Sequence, residues 1–254
     1  MRRRPVFAIV AIAAAGTALA GASAATAQVP RVITALTING NGPFDFRTGG
    51  KLTGFDIQLV ERMARTAGAR DVTWKVVDFD NLLNAIDNGQ AMMGAASITI
   101  TPQRAAIVDF GNPYLEADMG IVTRAGSTGI TNRQTLQGQT IGVLQGSTAV
   151  PVAKGIQGAK VLQYPTMGPI YTALLNGKVN AVLNDYGQSR WYVNHNKPKF
   201  RFGGIIPVNQ NYGLAFNQSR DSLRVAMNAA LAKMKRNGSY QELIVRWGLQ
   251  SQAG

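Results

Sequence analysis

The chain alternates between two patterns of apolar residues, one typical of β-strands and one typical of α-helices. Short apolar runs bounded by turn residues predict strands, whereas apolar residues three or four positions apart predict helices. The strand-like segments are residues 32–38, 72–77, 91–96, 107–110, 119–123, 140–144, 159–163, 179–183 and 211–216. The helix-like segments are residues 55–67, 82–87, 167–176, 187–194 and 223–234, with another helix opening at 146–148. Such alternation is typical of α/β folds with mostly parallel sheets.

The order of these segments predicts two α/β units of similar size. A polar stretch at 124–129 separates the first series of strands and helices from the second. The last helix, which we expect Ser219 to cap and Gly238 to end, returns to the first unit, so the chain crosses twice between two lobes. The cleft between two hinged lobes is the natural place for a ligand. The predicted limits are residues 28–121 with 214–254 for lobe I and residues 122–213 for lobe II.

Residues 1–27 have the three-part pattern of a secretory signal peptide. The arginines at 2–4 precede an apolar run at 6–15, and the small residues at 22–27 suit a cleavage site. The apolar run is shorter than a membrane-spanning helix requires. We therefore expect an exported, periplasmic protein, with a retained N-terminal anchor as the alternative.

The amino-acid composition excludes several kinds of partner and of chemical site. The chain has 26 Lys and Arg residues against 13 Asp and Glu residues, a formal net charge of +13. Beyond the first residues these cations are scattered singly and are not interleaved with aromatic residues, so we expect no nucleic-acid partner. The chain has no cysteine, which excludes disulfides, thiolate metal sites and lipid attachment at a cysteine. We expect no metal and no cofactor.

The segment 97–104, Ser-Ile-Thr-Ile-Thr-Pro-Gln-Arg, has the chemistry of a carboxylate clamp. Ser97, Thr99 and Thr101 alternate, so an extended run would project their hydroxyls from one side. Thr101 and Pro102 predict the start of a helix, whose free N–H groups favour an anion. Arg104 adds a planar fork that can hold a carboxylate through two bonds. The alternative is an ordinary helix cap with Arg104 as a surface charge.

Several short motifs in a fixed order resemble the extracellular solute-binding proteins, family 3, which are periplasmic polar-amino-acid-binding components of ABC importers. The motifs are residues 43–44, 50–57, 78–83, 97–104, 108–110 with 113–114, 142–148, 177–182, 238–240 and 246–248. The resemblance covers nearly the whole chain after the signal peptide. It implies a type II periplasmic-binding-protein-like fold, with two α/β lobes joined by a two-strand hinge and the ligand cleft between them. The implied partners are a free amino acid and the membrane subunits of an importer, with the binding protein itself a monomer.

The resemblance also implies which residues hold the ligand α-carboxylate. In similar proteins the arginine that matches Arg104 grips this carboxylate, helped by the positions that match Thr99 and Ser97. The helix start that matches Ser147 and Thr148, in the other lobe, donates to the same group.

The residues that match Asp185 and Phe79 complete the implied site. The acid holds the α-ammonium group of the ligand, and the aromatic ring packs on the ligand side chain. A zwitterion is then fully paired only when both lobes touch it, because an unpaired buried charge costs several kcal/mol. The alternatives are a surface helix cap for Asp185 and a core residue for Phe79.

The side-chain end of the implied pocket departs from the family pattern. Relatives often have an aromatic residue where this chain has Asn41, and several that bind basic ligands have an acid near Ile38, which is missing here. Asn184 and Leu144 would line this end without a fixed charge. We therefore expect a neutral polar or small amino acid rather than lysine or arginine. Asn41 could instead be a turn residue within 39–42.

Two other functions use the same fold. A cyclohexadienyl-dehydratase-like enzyme needs a general acid with a raised pKa in the cleft, and Glu116 or Asp118 near the first crossing could supply it. A sensory protein would use the same binding chemistry as a transport protein. His195 is expected in a loop and has no partners for hydrolytic or metal chemistry. We expect a binding protein rather than an enzyme.

Overall fold

The computed structural model describes residues 29–252, so the predicted signal peptide at 1–27 lies outside the described residues. The strands are β1 (Val32–Thr37), β2 (Phe46–Thr48), β3 (Lys51–Thr53), β4 (Asp71–Val76), β5 (Met93–Gly94), β6 (Asp109–Phe110), β7 (Leu115–Arg124), β8 (Thr140–Leu144), β9 (Lys160–Tyr164), β10 (Ala181–Asp185), β11 (Phe200–Tyr212) and β12 (Ala215–Phe216). The helices are α1 (Phe55–Thr66), α2 (Phe79–Asp87), α3 (Pro102–Ala105), α4 (Ala149–Lys154), α5 (Met167–Leu175), α6 (Tyr186–His195), α7 (Asp221–Arg236) and α8 (Ser239–Trp247). Three short 3₁₀ turns lie at Gln134–Leu136, Gln218–Arg220 and Gln250–Gln252.

Two five-stranded sheets form the centres of two lobes. The first has the strand order β4-β1-β5-β12-β6 and the second the order β11-β7-β10-β8-β9. In each sheet the first strands pair in parallel, β1 with β4 and β5, and β8 with β9 and β10. The returning strands, β12 in the first sheet and β7 and β11 in the second, pair antiparallel. The molecule is therefore a two-lobed α/β protein with the expected type II architecture.

Each lobe has its own apolar core. In the first lobe, α1, α7 and α8 pack apolar faces on the sheet, with Leu59, Met227 and Leu243 at or near zero exposure. In the second lobe, Ile141, Leu183 and their neighbours form the centre under α4. Burying one such side chain contributes roughly 1.5–3 kcal/mol, so each lobe holds its half of the cleft rigidly.

The hinge is formed by β7 and β11. These long antiparallel strands pair along most of their length, from Leu115 with Tyr212 to Arg124 with Phe200. At the crossing, the N–H of Tyr114 donates to the carbonyl of Tyr212 (3.0 Å), and the N–H of Gly213 donates to the carbonyl of Ile98 (3.0 Å). Two strands thus lead from one lobe to the other. The predicted lobe limits fall within β7 and just before β12, and we keep them as a proposal.

Several elements differ from the sequence prediction. The strand expected at 211–216 is split, because its first part ends the long β11 and its last part is β12. Ser219 does not cap α7: it lies inside a 3₁₀ turn, and Arg220 occupies the capping position. His195 is not in a loop, because it is the last residue of α6 and its Nδ1 lies 2.8 Å from the carbonyl oxygen of Trp191.

Candidate functional site

Arg104 is placed by a short helix that begins where the sequence predicts. The Oγ1 of Thr101 accepts a hydrogen bond from the backbone N–H of Arg104 (3.2 Å), and Pro102 is the first residue of α3. This is the usual arrangement of an N-capping threonine followed by proline. The helix has only four residues, and the Arg104 side chain, 9% exposed, turns into the space between the lobes.

The guanidinium of Arg104 spans the cleft. Its Nη1 donates to the carbonyl of Thr99 (2.8 Å) in the first lobe, and its Nη2 donates to the carbonyl of Gly146 (3.0 Å) in the second. The guanidinium also lies over the ring of Phe79, 5.2 Å from the centroid. Burial lowers the pKa of Arg104 and the charge of Asp185 raises it. An arginine stays charged in proteins, so its remaining N–H groups are donors available to an anion.

Asp185 provides the opposite charge from the second lobe. It is the last residue of β10, 9% exposed, and its Oδ2 accepts a hydrogen bond from the Tyr212 hydroxyl (2.7 Å). Burial raises the pKa of Asp185 to about 6, against the hydrogen bond from Tyr212 and the charge of Arg104, which lower it. Within the described part of the chain, Arg104 and Asp185 form no direct ion pair. The two charges therefore face one cavity from different lobes without neutralising each other.

Ser97 departs from the predicted extended run. Its φ of 45° is left-handed, and its N–H donates to the buried carboxylate of Asp56 (2.6 Å). Its hydroxyl donates to the Ala96 carbonyl (2.8 Å) and accepts from Asn41 Nδ2 (3.0 Å) and Gln188 Nε2 (2.8 Å). One donor and two acceptor positions are all that a hydroxyl has. The prediction that Ser97, Thr99 and Thr101 project alike from an extended run is therefore wrong at Ser97.

Two buried carboxylates support the cavity from behind. Asp45 accepts hydrogen bonds from Thr37 Oγ1 (3.2 Å) and Asn41 Nδ2 (2.8 Å), and Asp56 accepts from the Tyr114 hydroxyl (2.9 Å) and the Ser97 N–H. Burial raises the pKa of both, that of Asp56 to about 6. Neither lines the cavity, and both fix side chains that do. Asn41 is thus a buried residue held in one orientation and not only a turn residue.

The second lobe closes on the clamp through α4 and the loop before it. The hydroxyls of Thr99 and Thr148 approach to 3.4 Å across the cleft. The hydroxyl of Ser147 donates to the carbonyl of Leu144 (2.7 Å), which fixes the turn that leads into α4. Thr148 occupies the capping position of α4 without a side-chain cap bond. Its hydroxyl therefore does not cap the helix and instead faces Thr99 across the cleft.

One narrow cavity between the lobes collects all the residues that the sequence predicts for the site. They are Asn41, Phe79, Ser97, Thr99, Arg104, Leu144, Ser147, Thr148, Asn184 and Asp185. We call this the inner cavity. Ile38, Phe79 and Leu144 also line a larger outer cavity of about 490 Å³, whereas the inner cavity holds about 20 Å³ of free space. The ligand-binding roles of the ten residues remain a prediction.

Sequence reasoning missed two polar residues of the site. Gln188, in the first turn of α6, lines the inner cavity and reaches Ser97 of the opposite lobe. The predicted helix beginning at 187 placed Gln188 near Asp185, a signal that could have revealed it. Tyr212, which holds Asp185, lies at the end of β11. The sequence placed Tyr212 in a strand at 211–216, but the length of β11 and the contact of Tyr212 with Asp185 were not predicted.

The acids considered for an enzyme lie outside both cavities. Glu116 is exposed, and the Oδ1 of Asp118 accepts a hydrogen bond from the N–H of Val208 (2.9 Å). Neither lines the inner or the outer cavity. Among residues 29–252, no three His, Cys, Asp or Glu side chains are grouped closely enough to hold a metal ion. In the same residues no helix combines the length and the apolar character needed to cross a membrane.

Several known proteins with similar sequences and structures are named as amino-acid-binding proteins. A probable histidine-binding protein of Campylobacter jejuni is 28% identical over 210 residues, which cover 82% of this chain and 81% of the relative. The ABC transporter glutamine-binding protein GlnH of Bacillus subtilis is 25% identical over 256 residues, 95% of this chain and 93% of the relative. A solved structure of an ancestral arginine-binding protein bound to arginine has a TM-score of 0.80 and 32% identity, covering 87% of this chain and 99% of that one.

A family model matches almost the whole described chain. The model of the bacterial extracellular solute-binding proteins, family 3, matches residues 33–250. This span includes both sheets, both hinge strands and every residue of the inner cavity. The chain therefore belongs to the bacterial extracellular solute-binding proteins of family 3.

Proposed function

We propose that this protein captures a free amino acid between its two lobes and delivers it to the membrane subunits of an ABC importer. The observation that carries the proposal is the pair of buried, opposite charges on one cavity, Arg104 from the first lobe and Asp185 from the second. An amino acid is a zwitterion with one charge of each sign a few ångströms apart. Each lobe therefore supplies the partner for one end of the same small molecule.

The donors around Arg104 support its role in holding the α-carboxylate. Two of its five N–H groups bond to protein carbonyls, which fixes the plane of the guanidinium and leaves the others for a ligand. The hydroxyls of Thr99 and Thr148 face each other across the cleft at 3.4 Å. A carboxylate here gains charge-assisted hydrogen bonds, which are about twice as strong as neutral ones.

The position of Asp185 supports its role in holding the α-ammonium group. The Tyr212 hydroxyl donates to one oxygen of the carboxylate, and Asp185 lines the inner cavity. Closing the lobes without the ligand would leave two desolvated charges unpaired, which costs several kcal/mol. Binding and closure are therefore coupled, since the ligand stabilises the closed form more than the open form.

The importer, the location and the oligomeric state complete the proposal, and family membership supports the first two. The glutamine-binding relative is named as part of an ABC transporter, and the family is extracellular. We propose a monomer in the periplasm, directed there by a signal peptide at residues 1–27. We also propose that the protein is a binding protein and not an enzyme, because the cavity supplies groups that hold a zwitterion while Glu116 and Asp118 lie outside it.

Replacing Arg104 tests this function. In isothermal titration calorimetry, Arg104→Ala should lose at least about 100-fold in affinity for the amino acid that the wild-type protein binds, because the buried carboxylate loses its charged partner. The unfolding free energy of the ligand-free protein should change by only about 1 kcal/mol, the worth of the hydrogen bonds lost. A thermal-shift screen against the twenty amino acids first identifies the ligand, because binding to the folded state alone raises its stability.

The matched control is Arg62→Ala, which removes an arginine of the same lobe outside the cleft. Arg62 is partly exposed and pairs with Glu242 at 3.3 Å. This variant should keep the wild-type affinity. Retained micromolar affinity in Arg104→Ala would refute the clamp, and a screen without any binding amino acid would refute the function.

A further inference from the structure

We propose that the side-chain end of the inner cavity selects amino acids with a carboxamide side chain, such as glutamine or asparagine. This inference rests on the proposed function, since it concerns the part of the amino acid that Arg104 and Asp185 do not hold. Relatives are named for histidine, glutamine and arginine, so family membership leaves the side chain open. The identity of the ligand side chain must therefore be inferred from the polar groups that line this end of the cavity.

Asn184 is a buried amide at this end of the cavity whose carbonyl oxygen has no donor among the described residues. It is 5% exposed, lines the inner cavity beside Asp185, and its Nδ2 is fully buried. Its Nδ2 faces the buried hydroxyl of the neighbouring Tyr171, beyond normal hydrogen-bond distance but close enough for the amide to counteract the rise in the pKa of Tyr171. Buried polar side chains nearly always have a hydrogen-bond partner. With Nδ2 directed at Tyr171, the Oδ1 of Asn184 accepts no hydrogen bond from the described residues, which points to a ligand group that donates.

Asn41 presents a second amide, with its orientation fixed. Its Nδ2 donates to the Asp45 carboxylate (2.8 Å) and to the Ser97 hydroxyl (3.0 Å), so both of its N–H groups are used. The Oδ1 of Asn41 is left as an acceptor without a donor among the described residues. Asn41 is 4% exposed and lines the same cavity. A ligand that pairs with Asn41 must therefore bring a hydrogen-bond donor.

A carboxamide meets both requirements. Its NH₂ group has two N–H donors, one for the Oδ1 of Asn41 and one for the Oδ1 of Asn184. An apolar side chain of the same length would leave both amides unpaired, which lowers affinity by about tenfold or more.

The remaining walls disfavour a charged side chain. Ile38, Phe79 and Leu144 are apolar, and Arg104 and Asp185 are already assigned to the ligand backbone. The outer cavity adds one charged residue, Asp78, which is exposed to water. A charge buried among apolar groups without a partner is strongly disfavoured. Because the same three apolar residues line both cavities, a side chain of glutamine length has room to continue outward.

Calorimetry with ligands of similar length tests this proposal. The panel is glutamine, asparagine, glutamate, norleucine, lysine and arginine, titrated into the wild-type protein. We expect glutamine or asparagine to bind at least about tenfold more tightly than each of the other four. Equal or tighter binding of norleucine, glutamate, lysine or arginine would overturn the carboxamide assignment while leaving the proposed function intact. No binding by any of the twenty amino acids would overturn both.

The variant Asn184→Leu separates recognition from a structural role. Leucine has nearly the same shape but no amide, so the affinity for the carboxamide ligand should fall at least about tenfold while that for norleucine stays the same or rises. The matched control, Asn194→Leu, changes an exposed residue of α6 outside both cavities and should keep both affinities. An equal loss for both ligands would overturn the proposal. If Asn184→Leu does not fold, the titrations of the six ligands into the wild-type protein still test the carboxamide assignment.

Discussion

Arg104 and Asp185 hold the only charges among the described residues that line the inner cavity. Each is desolvated, and each is held by hydrogen bonds to other groups of the protein. This arrangement prepares two charges for a ligand without letting them pair with each other. Two residues on different lobes thus supply the charges with which the site can bind a ligand.

Replacing Asp185 should show how much the α-ammonium group of the ligand contributes to binding, separately from the α-carboxylate. Asp185→Asn keeps the shape of the side chain but removes the charge that faces the α-ammonium group. We expect the affinity for the amino acid to fall at least about tenfold, and that for the corresponding des-amino carboxylic acid to change little. Calorimetry with both ligands measures the difference. Equal losses for the two would show that Asp185 does not meet the ammonium group.

The raised pKa of Asp185 predicts weaker binding in mild acid. Burial raises this pKa to about 6, so the carboxyl is mostly neutral in the free protein at pH 5 and mostly ionised at pH 7. Because the ammonium group needs the ionised form, affinity should fall about tenfold between pH 7 and pH 5. The des-amino acid and the Asp185→Asn variant should lack this dependence. Constant affinity for the amino acid over this range would contradict the assigned role.

The same shift has the opposite effect on the stability of the free protein. An acid whose pKa is raised by folding binds protons more tightly in the folded state than in the unfolded state. The free energy of unfolding therefore rises as the pH falls from 7 toward 4, through the contributions of Asp185 and Asp56. Loss of affinity in mild acid is thus not a loss of fold.

At the scale of elements, the turn between β8 and α4 must approach the first lobe closely. Gly146 has a φ of 73°, and a Cβ there would lie 2.9 Å from the Cβ of Asp80 in α2. The neighbouring Gln145 donates to the Asp80 carboxylate (2.7 Å), and the Gly146 carbonyl accepts from Arg104. Glycine at this position therefore allows both the left-handed backbone of the turn and the close approach of the two lobes.

Gly146→Ala should weaken binding more than it weakens the fold. The added methyl group meets α2 only when the lobes are closed, so we expect at least about a tenfold loss of affinity by calorimetry. Gly138→Ala is the matched control, because Gly138 has a φ of 69° in the same lobe with nothing within 4 Å of an added Cβ. Both variants should lose about 1–2 kcal/mol in urea unfolding. The prediction is wrong if Gly138→Ala weakens binding as much as Gly146→Ala does.

Local patterns predicted the elements that carry the clamp. Thr101, Pro102 and Arg104 lie within four residues, so capping preferences alone placed the start of α3. The strand predicted at 179–183 is present as β10, whereas Asp185 at its end was assigned only through the family resemblance. These predictions depend on neighbours in sequence, and the structure has the same elements there.

Features that depend on distant contacts were not predictable from local patterns. The left-handed backbone of Ser97 is imposed by hydrogen bonds with Asp56, Asn41 and Gln188, which are far apart in sequence. The length of β11 is set by its pairing with β7 and not by its own apolar pattern, which its glycines and asparagines interrupt. The contact of Tyr212 with Asp185 is therefore visible only in the fold, whereas Gln188 had a local signal in its position one helical turn after Asp185.

At the scale of the whole molecule, the cleft is crossed by polar contacts that one lobe cannot make alone. They include Arg104 with Gly146, Ser97 with Gln188, and Asp80 with Gln145. The inner cavity has little free space, so an amino acid that enters it must break some of these hydrogen bonds between the lobes or replace them with its own. The two strands of the hinge allow such movement while each core stays intact.

A crystal structure of the protein with its bound amino acid tests the central claim most directly. The account predicts the α-carboxylate within hydrogen-bond distance of the Arg104 guanidinium and the α-ammonium group within hydrogen-bond distance of Asp185, with both lobes closed on the ligand. An amino acid bound elsewhere, or bound in the cleft with the Arg104 guanidinium turned to bulk water, would contradict it.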